Sequence, residues 1–224
     1  MDERIDIDAL KFFAKITSGY THELNNIVAI INELNGNIED KIRTFENIDP
    51  TKVEKVAILL NKIAKQLDRA KSLTKSLNRF AHTVDSEIEN VDIAQLVKDS
   101  ISLFRYFVKL SNANIVENYT CQSHIIRTNP FLLFFLLFKC VWYILQEIDN
   151  QRNIVLSTAE GKCFKIFLSC YLKEHALEPL ESFVNFLNQT ANPFGIELKT
   201  IIAVNKAETS IEITINNINK GELR

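Results

Sequence analysis

Between Asp8 and about Phe45, apolar residues recur on two rows, each with a spacing of seven residues. This heptad repeat predicts one long amphipathic helix whose apolar seam packs against a neighbouring helix. Among the seam positions only Thr17 is an exception. Gly36 lies inside the pattern, lowers the helix propensity there and allows a break or bend near residues 36–40. The two rows are Leu10, Thr17, Leu24, Ile31 and Ile38, and Phe13, Tyr20, Ile27 and Leu34.

A turn and a second long helix follow. Residues 47–50 read Asn-Ile-Asp-Pro, in which Asp49 can cap a helix and Pro50 can occupy its first position. Heptad spacing then continues to about Asp85, and each helix would be about 50 Å long. Two such helices in an antiparallel hairpin leave apolar surface exposed. A second hairpin in a twofold homodimer would bury it as a four-helix bundle, so we expect a dimer.

The pattern changes after residue 90, where shorter helices and strands alternate. Asp92 can cap one helix, and Asn129-Pro130 can start another that is strongly apolar. The predicted helices span about 92–110, 130–148 and 179–189. Runs bounded by turn residues predict strands at 114–119, 123–127, 153–157, 163–172, 196–204 and 210–216. This order suits one mixed sheet that is covered on one face by helices.

These elements predict an α+β fold class with two domains. Residues 1–88 would form the dimerisation hairpin, and residues 89–224 would form an α/β two-layer sandwich. The chain has 224 residues, of which 46% are hydrophobic and 24% are charged, so it holds enough apolar material for one or two cores.

Charge and composition exclude several classes of function. A net charge of -2 and a pI near 6.1 give no long-range attraction to nucleic acid or anionic lipid. The four cysteines show no C-x-x-C pairing, which favours reduced, mostly buried thiols over a zinc site or disulfides. The apolar run Phe131–Leu145 is short for a membrane span and contains Lys139, which indicates a buried core helix. The N-terminus lacks a secretory signal, so we expect a cytoplasmic protein with no nucleic-acid partner and no membrane insertion.

The segment Gly19–Asn26 reads Gly-Tyr-Thr-His-Glu-Leu-Asn-Asn. It resembles the phosphoacceptor box of sensor histidine kinases, in which an acidic residue follows an exposed histidine and Asn or Thr stands four positions after the histidine. The box lies on the first helix of a predicted hairpin, and the domain that follows resembles that family's ATP-binding domain in its element order. The resemblance covers nearly the whole chain and implies phosphotransfer through His22 in a two-component system.

The residues around His22 suit this chemistry. On the heptad, His22 falls at the position farthest from the seam, so its imidazole is expected to face solvent. An imidazole nitrogen is a competent nucleophile near neutral pH when the other nitrogen is held as a donor, and Glu23 could orient the ring or take up a proton. Asn26 lies over the same face and could position water or a carboxyl phosphate. Thr21 and Asn25 are candidate partner contacts, and the other three histidines are assigned structural roles.

The nucleotide motifs of the kinase family are missing. In that family, the helix that begins with Asp-Pro or Asn-Pro carries two asparagines, the second of which binds magnesium. Aligned on Asn129-Pro130, these positions are Lys139 and Tyr143 here. The family's D-x-G-x-G turn corresponds to residues 172–177, which contain neither Asp nor Gly. The resemblance therefore implies a degenerate ATPase-like domain with no cofactor of its own, and any magnesium requirement would belong to a partner receiver domain.

This combination resembles the histidine phosphotransferases that arose from kinases. It implies that His22 carries a phosphoryl group between response-regulator aspartates without ATP use by this chain. Two alternatives stay open. One is a non-catalytic docking module that regulates a response regulator or a kinase through groups such as Thr21 and Asn25. The other is a divergent sensor histidine kinase that still binds ATP.

Overall fold

The structure is a computed structural model that describes residues 3–43, 50–120, 123–149, 152–202 and 208–218. The helices are α1 Glu3–Arg43, α2 Pro50–Ala81, α3 Ile93–Leu110, α4 Pro130–Glu147 and α5 Leu177–Ala191. The strands are β1 Glu89–Asp92, β2 Asn114–Asn118, β3 Ile125–Thr128, β4 Asn153–Glu160, β5 Phe164–Tyr171, β6 Ile196–Ile202 and β7 Glu208–Ile215. Short 3₁₀ turns lie at His82–Val84, Glu174–Ala176 and Asn192–Phe194.

Helices α1 and α2 form the antiparallel hairpin that the heptads predict. The Tyr20 hydroxyl lies 3.1 Å from Thr74 Oγ1, and Glu23 pairs with Arg69. The contacting residue on α2 therefore has a lower number as the residue on α1 has a higher one, as in an antiparallel pair. Helix α1 continues through Gly36 without interruption, and the break allowed near residues 36–40 does not occur. A single glycine costs a helix only about 1 kcal/mol, which the surrounding turns can outweigh.

The starts of α3 and α4 are capped by the residues that the sequence predicts. Asp92 Oδ1 accepts a hydrogen bond from the Gln95 N–H at 3.1 Å, and Asn129 Oδ1 accepts one from the Leu132 N–H at 2.8 Å. These bonds satisfy backbone N–H groups that the first turn of a helix leaves without partners. The predicted cap of α2, Asp49, lies outside the described residues.

The strands form two sheets, and the prediction of a single mixed sheet was wrong. Five strands pair in the order β2-β4-β5-β7-β6, with β2 parallel to β4 and the other pairs antiparallel. Strand β3 pairs instead with β1, which the sequence analysis did not predict because Glu89–Asp92 contains only one apolar residue. Buried and half-buried residues alternate along β5, as expected when one face of the sheet lies in the core.

Aromatic rings join the hairpin to the α/β sandwich in one continuous core. Phe12 of α1 packs against Phe80 of α2 and Phe138 of α4, with ring centroids 5.4 and 4.8 Å apart. Phe104 of α3 lies 5.3 Å from the Phe138 ring. Edge-on and tilted pairs at such distances add to the free energy gained by apolar burial. The hairpin and the sandwich therefore pack as one body along the first half of α1.

Helix α1 buries two stripes where the heptad predicts one. The predicted seam packs against α2 at positions such as Tyr20, but Leu10 and Phe13 remain 70% and 42% exposed. A second stripe is buried against the α/β sandwich, and it comprises Phe12, Ile16, Gly19 and Glu23. The heptad describes the hairpin contact and leaves out the contact with the sandwich.

Helix α4 is the one helix in the described ranges that is long and apolar enough to cross a membrane by length and composition. Two thirds of its apolar stretch is buried inside the structure, and Leu133, Leu136 and Leu137 are inaccessible to solvent. Helix α4 is therefore the buried core helix that the run Phe131–Leu145 predicts.

A buried carboxylate fixes α3 to the end of α2. Asp99 accepts hydrogen bonds from the Ser76 hydroxyl at 2.8 Å and from Arg79 Nε at 2.5 Å, and Gln95 donates to the same carboxylate at 3.2 Å. A buried charge is tolerated when it is paired and hydrogen-bonded in this way. These contacts set the position of α3 beside the hairpin.

Candidate functional site

His22 lies on the exposed surface of α1, beside an open groove on the same helix. The groove has a volume of about 430 Å³. Its lining consists of Phe13, Ala14, Thr17, Ser18, Thr21, His22 and Asn25. His22 is exposed at this groove, so its imidazole is accessible from solvent.

The other polar residues predicted around His22 divide between this groove and its surroundings. Thr21 and Asn25 line the groove, and the Thr21 hydroxyl donates to the Thr17 carbonyl at 2.9 Å. Asn26 is exposed one helical turn after His22 but is not part of the groove lining. Thr21, His22 and Asn25 therefore lie together, and Asn26 lies at their edge.

Glu23 points away from His22. Its side chain is only 10% exposed, and its carboxylate pairs with Arg69 of α2 and, at 3.5 Å, with Lys109 of α3. Adjacent residues on a helix are separated by about 100° around its axis, so Glu23 lies on the inward side while His22 lies outward. Within the described part of the chain, no hydrogen bond joins the two side chains. The arrangement makes Glu23 a link among three helices.

The cations around Glu23 influence one another. Burial lowers the pKa of the Lys109 ammonium, and the nearby positive charges of Arg69 and Arg105 lower it further. Arg105 in turn pairs with Glu117 of β2. Three cations, Arg69, Arg105 and Lys109, therefore lie close together where α2 and α3 meet, beside the inward-facing Glu23.

Tyr106 of α3 lies parallel to the His22 ring in an offset arrangement, a contact that the sequence analysis missed. The two rings are parallel to within 2°, and their centroids lie 5.4 Å apart. Close approach of α3 is possible because Gly19 has no side chain. A Cβ atom at Gly19 would lie 2.9 Å from the Phe107 ring and 3.1 Å from the Tyr106 ring. The glycine three residues before His22 was the only sequence signal of this approach.

The three other histidines each contact an acidic side chain. His82 Nδ1 lies 2.7 Å from Asp85, and His124 Nδ1 lies 2.7 Å from Glu160. His175 Nε2 lies 3.2 Å from Glu147 of α4. The described residues contain no cluster of three or more His, Cys, Asp or Glu side chains that could hold a metal ion.

The thiols in the described ranges have no role in such a site. Cys140, Cys163 and Cys170 are free, and the first and last are buried. Burial raises the pKa of Cys140, and burial together with nearby carboxylates raises the pKa of Cys170 to about 12. Both therefore remain protonated and unreactive near neutral pH.

The two residues that the sequence analysis aligned with the asparagines of the kinase family, Lys139 and Tyr143, make internal contacts. The Tyr143 hydroxyl donates to the Ala176 carbonyl at 2.8 Å, and its ring stacks on Phe183 of α5 with centroids 4.7 Å apart. Burial raises the pKa of this hydroxyl, and the charge of Glu147 raises it further. The Lys139 ammonium lies over the ring of Phe135 on its own helix. A lysine and a tyrosine have no carboxamide oxygen of the kind that asparagine offers to magnesium.

No family model and no curated protein matches the chain. Solved structures match at low sequence identity. The catalytic domain of the histidine kinase ThkA is 10% identical, with a TM-score of 0.50 over 59% of this chain and 97% of that chain. The Acinetobacter baumannii histidine kinase AdeS is also 10% identical, with a TM-score of 0.49 over 88% and 98% of the two chains. A bacterial phosphotransferase is 12% identical, with a TM-score of 0.46 over 91% and 96%.

At these identities the similarity concerns the fold alone. The α/β part of the chain has the fold of a histidine-kinase catalytic domain. It follows a long N-terminal helical hairpin, as it does in the predicted fold class. The prediction of a helical hairpin followed by a kinase-like α/β sandwich is therefore confirmed.

Proposed function

We propose that this chain is a histidine phosphotransferase of a cytoplasmic two-component phosphorelay. His22 carries a phosphoryl group between the aspartates of response-regulator receiver domains, and the chain itself uses no ATP. One observation carries the proposal. The kinase-like fold presents an accessible His22 beside an open groove.

The transfer needs only the imidazole of this chain and the carboxylates of its partners. A nitrogen lone pair of His22 attacks the phosphorus of an aspartyl phosphate, so an N–P bond forms. The P–O bond to the aspartate breaks, and its electron pair leaves with the carboxylate. The second receiver reverses the exchange when its aspartate attacks phosphohistidine. Any Mg²⁺ that stabilises the phosphoryl oxygens belongs to the receiver domain.

The proposal assigns different roles to the polar residues of the box. Thr21 and Asn25 line the groove, where they would contact the receiver domain. Asn26 would position the incoming phosphoryl group or water from the edge of the groove. Glu23 was considered as an orienting acceptor for His22, but its pairs with Arg69 and Lys109 favour a structural role that holds α1 in place.

Independence from ATP is proposed from the contacts between α4 and α5. Tyr143 stacks on Phe183 between these helices, and the connection from β5 to α5 is only a short segment with one 3₁₀ turn. A glycine-rich lid over a triphosphate needs a longer, flexible segment. Isothermal titration calorimetry with ATP and Mg²⁺ should therefore detect no binding. Saturable binding would favour the divergent kinase instead.

We also propose that the chain is a homodimer with a domain division at residues 88 and 89. The apolar seam residues Leu10, Leu60 and Leu67 are between 53% and 70% exposed, and a second hairpin would cover them. The division falls where β1 begins, after the hairpin has ended in a 3₁₀ turn.

The proposal is tested with a receiver domain that has first been phosphorylated with radiolabelled acetyl phosphate. The purified chain should take up acid-labile label, and His22→Ala should not. His82→Ala is the matched control, because His82 is also exposed near the hairpin and already contacts Asp85. Equal labelling of His22→Ala would refute the proposal.

The same experiment separates the docking module from the phosphotransferase. A docking module would bind the receiver domain as wild type and as His22→Ala, and neither would take up label. In a phosphotransferase, Thr21→Ala and Asn25→Ala should weaken receiver binding while label still reaches His22 at high receiver concentration.

A further inference from the structure

We propose that Tyr106 is a positioning residue for His22, supplied by the α/β sandwich to the phosphoacceptor helix. The inference rests on the proposed function, because it concerns the orientation of the same imidazole. Tyr106 lies on α3, far from His22 in sequence, yet the two rings stack in parallel with centroids 5.4 Å apart. Parallel, offset rings at this distance are a favourable aromatic arrangement.

Contacts on both sides of the stack hold it in register. Before His22, Gly19 lets α3 approach so closely that a Cβ atom would collide with the Phe107 ring at 2.9 Å. After His22, the Glu23 carboxylate lies 3.5 Å from the Lys109 ammonium. The contacts of Gly19, His22 and Glu23 fall within little more than one helical turn of α1 and within one turn of α3. The two helices therefore cannot slide past one another without breaking all of these contacts.

The stack restricts an imidazole that could otherwise exchange between rotamers on an exposed helix face. A phosphoryl group on a ring nitrogen lies in the plane of the imidazole, so a fixed ring plane also fixes the direction of the N–P bond. Tyr106 contacts the imidazole from the side of α3, whereas His22 stays exposed at the groove, from which the donor aspartate would approach. Holding one side chain in a productive orientation is worth about a tenfold gain in rate.

The inference is tested on the full chain with variants at both ends of the contact. Tyr106→Phe keeps the aromatic ring, whereas Tyr106→Leu removes it. Gly19→Ala keeps the tyrosine side chain but displaces it, because the added Cβ would lie 2.9 Å from the Phe107 ring and 3.1 Å from the Tyr106 ring. Gly36→Ala is the matched control, because it makes the same change on the same helix at a position with nothing within 4 Å.

Two readouts are needed. The first is the NMR chemical shift of the His22 ring protons, which respond to the ring current of Tyr106 whether or not any phosphate is transferred. The second is the rate constant of transfer from a phosphorylated receiver domain, together with the KM for that domain. Phosphoramidate serves as a second, partner-independent donor of the phosphoryl group.

We expect Tyr106→Leu and Gly19→Ala to shift the His22 ring resonances and to lower the maximal transfer rate about tenfold with little change in KM. Tyr106→Phe and Gly36→Ala should stay within about twofold of wild type. Unchanged resonances or an unchanged rate in a folded Tyr106→Leu variant would overturn the positioning role alone. A wild-type chain that takes no label from either donor would overturn the proposed function itself, and the resonances would still report whether the stack exists.

Discussion

Asp92 carries several hydrogen bonds at the start of α3. Its Oδ1 accepts from the Gln95 N–H at 3.1 Å and from the His124 N–H at 3.3 Å, and its Oδ2 accepts from the Ser123 hydroxyl at 2.8 Å. Burial alone would raise the pKa of Asp92, but these bonds to the ionised form outweigh it and hold the pKa below its ordinary value of 3.8. The ionised Asp92 therefore stabilises the folded state fully above about pH 3.8, and this stabilisation is lost as the pH falls through the lowered pKa.

Replacing Asp92 with Asn should make the free energy of unfolding depend less on pH in the acid range. Asparagine keeps the capping oxygen but has no charge to lose, so the unfolding free energy should drop by less than about 1 kcal/mol near neutral pH. Urea denaturation between about pH 2 and pH 7 should show a shallower acid decline for Asp92→Asn than for wild type. Asp40→Asn, at an exposed position on α1, is the control. An equally steep decline in Asp92→Asn would show that Asp92 contributes nothing to acid sensitivity.

At the scale of residues, the sequence predicted local partners and missed distant ones. The caps at Asp92 and Asn129 were predictable because their partners lie three residues away. The partners of Glu23 and the ring over His22 come from helices far along the chain, so no local pattern indicates them. Gly19 was the only hint, since a glycine inside a helix often marks a close approach.

At the scale of elements, the second buried stripe of α1 decides how the hairpin and the sandwich combine. Phe12, Ile16, Gly19 and Glu23 are spaced by four, three and four residues, which is a regular helical face. Two of these four residues are a glycine and a charged residue, so the face carries no continuous apolar signal. The heptad seam is the stronger apolar pattern, so the sequence analysis identified the seam and not the second stripe.

Phe12 is the side chain on this stripe with the largest expected effect on stability. It is 2% exposed and packs among aromatic rings of α2 and α4, including Phe80 and Phe138. Phe12→Ala should lower the unfolding free energy by about 3–5 kcal/mol, because it leaves a cavity in the shared core. Phe186→Ala, at an exposed position on α5, should change it by about 0.5 kcal/mol or less. Chemical denaturation measures both, and equal losses would contradict a core shared by hairpin and sandwich.

The sheets show the limit of prediction from strand patterns. Strands with alternating or continuous apolar residues were found close to their observed bounds, since burial on one face imposes a period of two. Pairing was not predictable, because β3 could join either sheet and β1 has a single apolar residue. The two-stranded sheet was missed for this reason.

At the scale of the whole molecule, the hairpin exposes an apolar surface that a second copy would cover. Leu60 and Leu67 of α2 lie seven residues apart on one face and are more than half exposed. The chain should therefore sediment at about twice its mass of 25.7 kDa. Leu60→Lys/Leu67→Lys should sediment as a monomer, since charges at the seam disfavour association.

Ile58→Lys is the control for the dimer. Ile58 is equally exposed but lies about 200° around α2 from Leu60, away from the seam. Its variant should remain dimeric. A folded Leu60→Lys/Leu67→Lys variant that still sediments at twice the chain mass would show that association uses another surface.

The phosphorelay itself is tested most directly by following label between two receiver domains without ATP. One domain is phosphorylated with radiolabelled acetyl phosphate, freed of the donor and mixed with the second domain in the presence of this chain. We predict that label reaches the second domain only when the chain is present with His22 intact, and that adding ATP does not change the rate. Relay through His22→Ala, or relay that depends on ATP, would contradict the account.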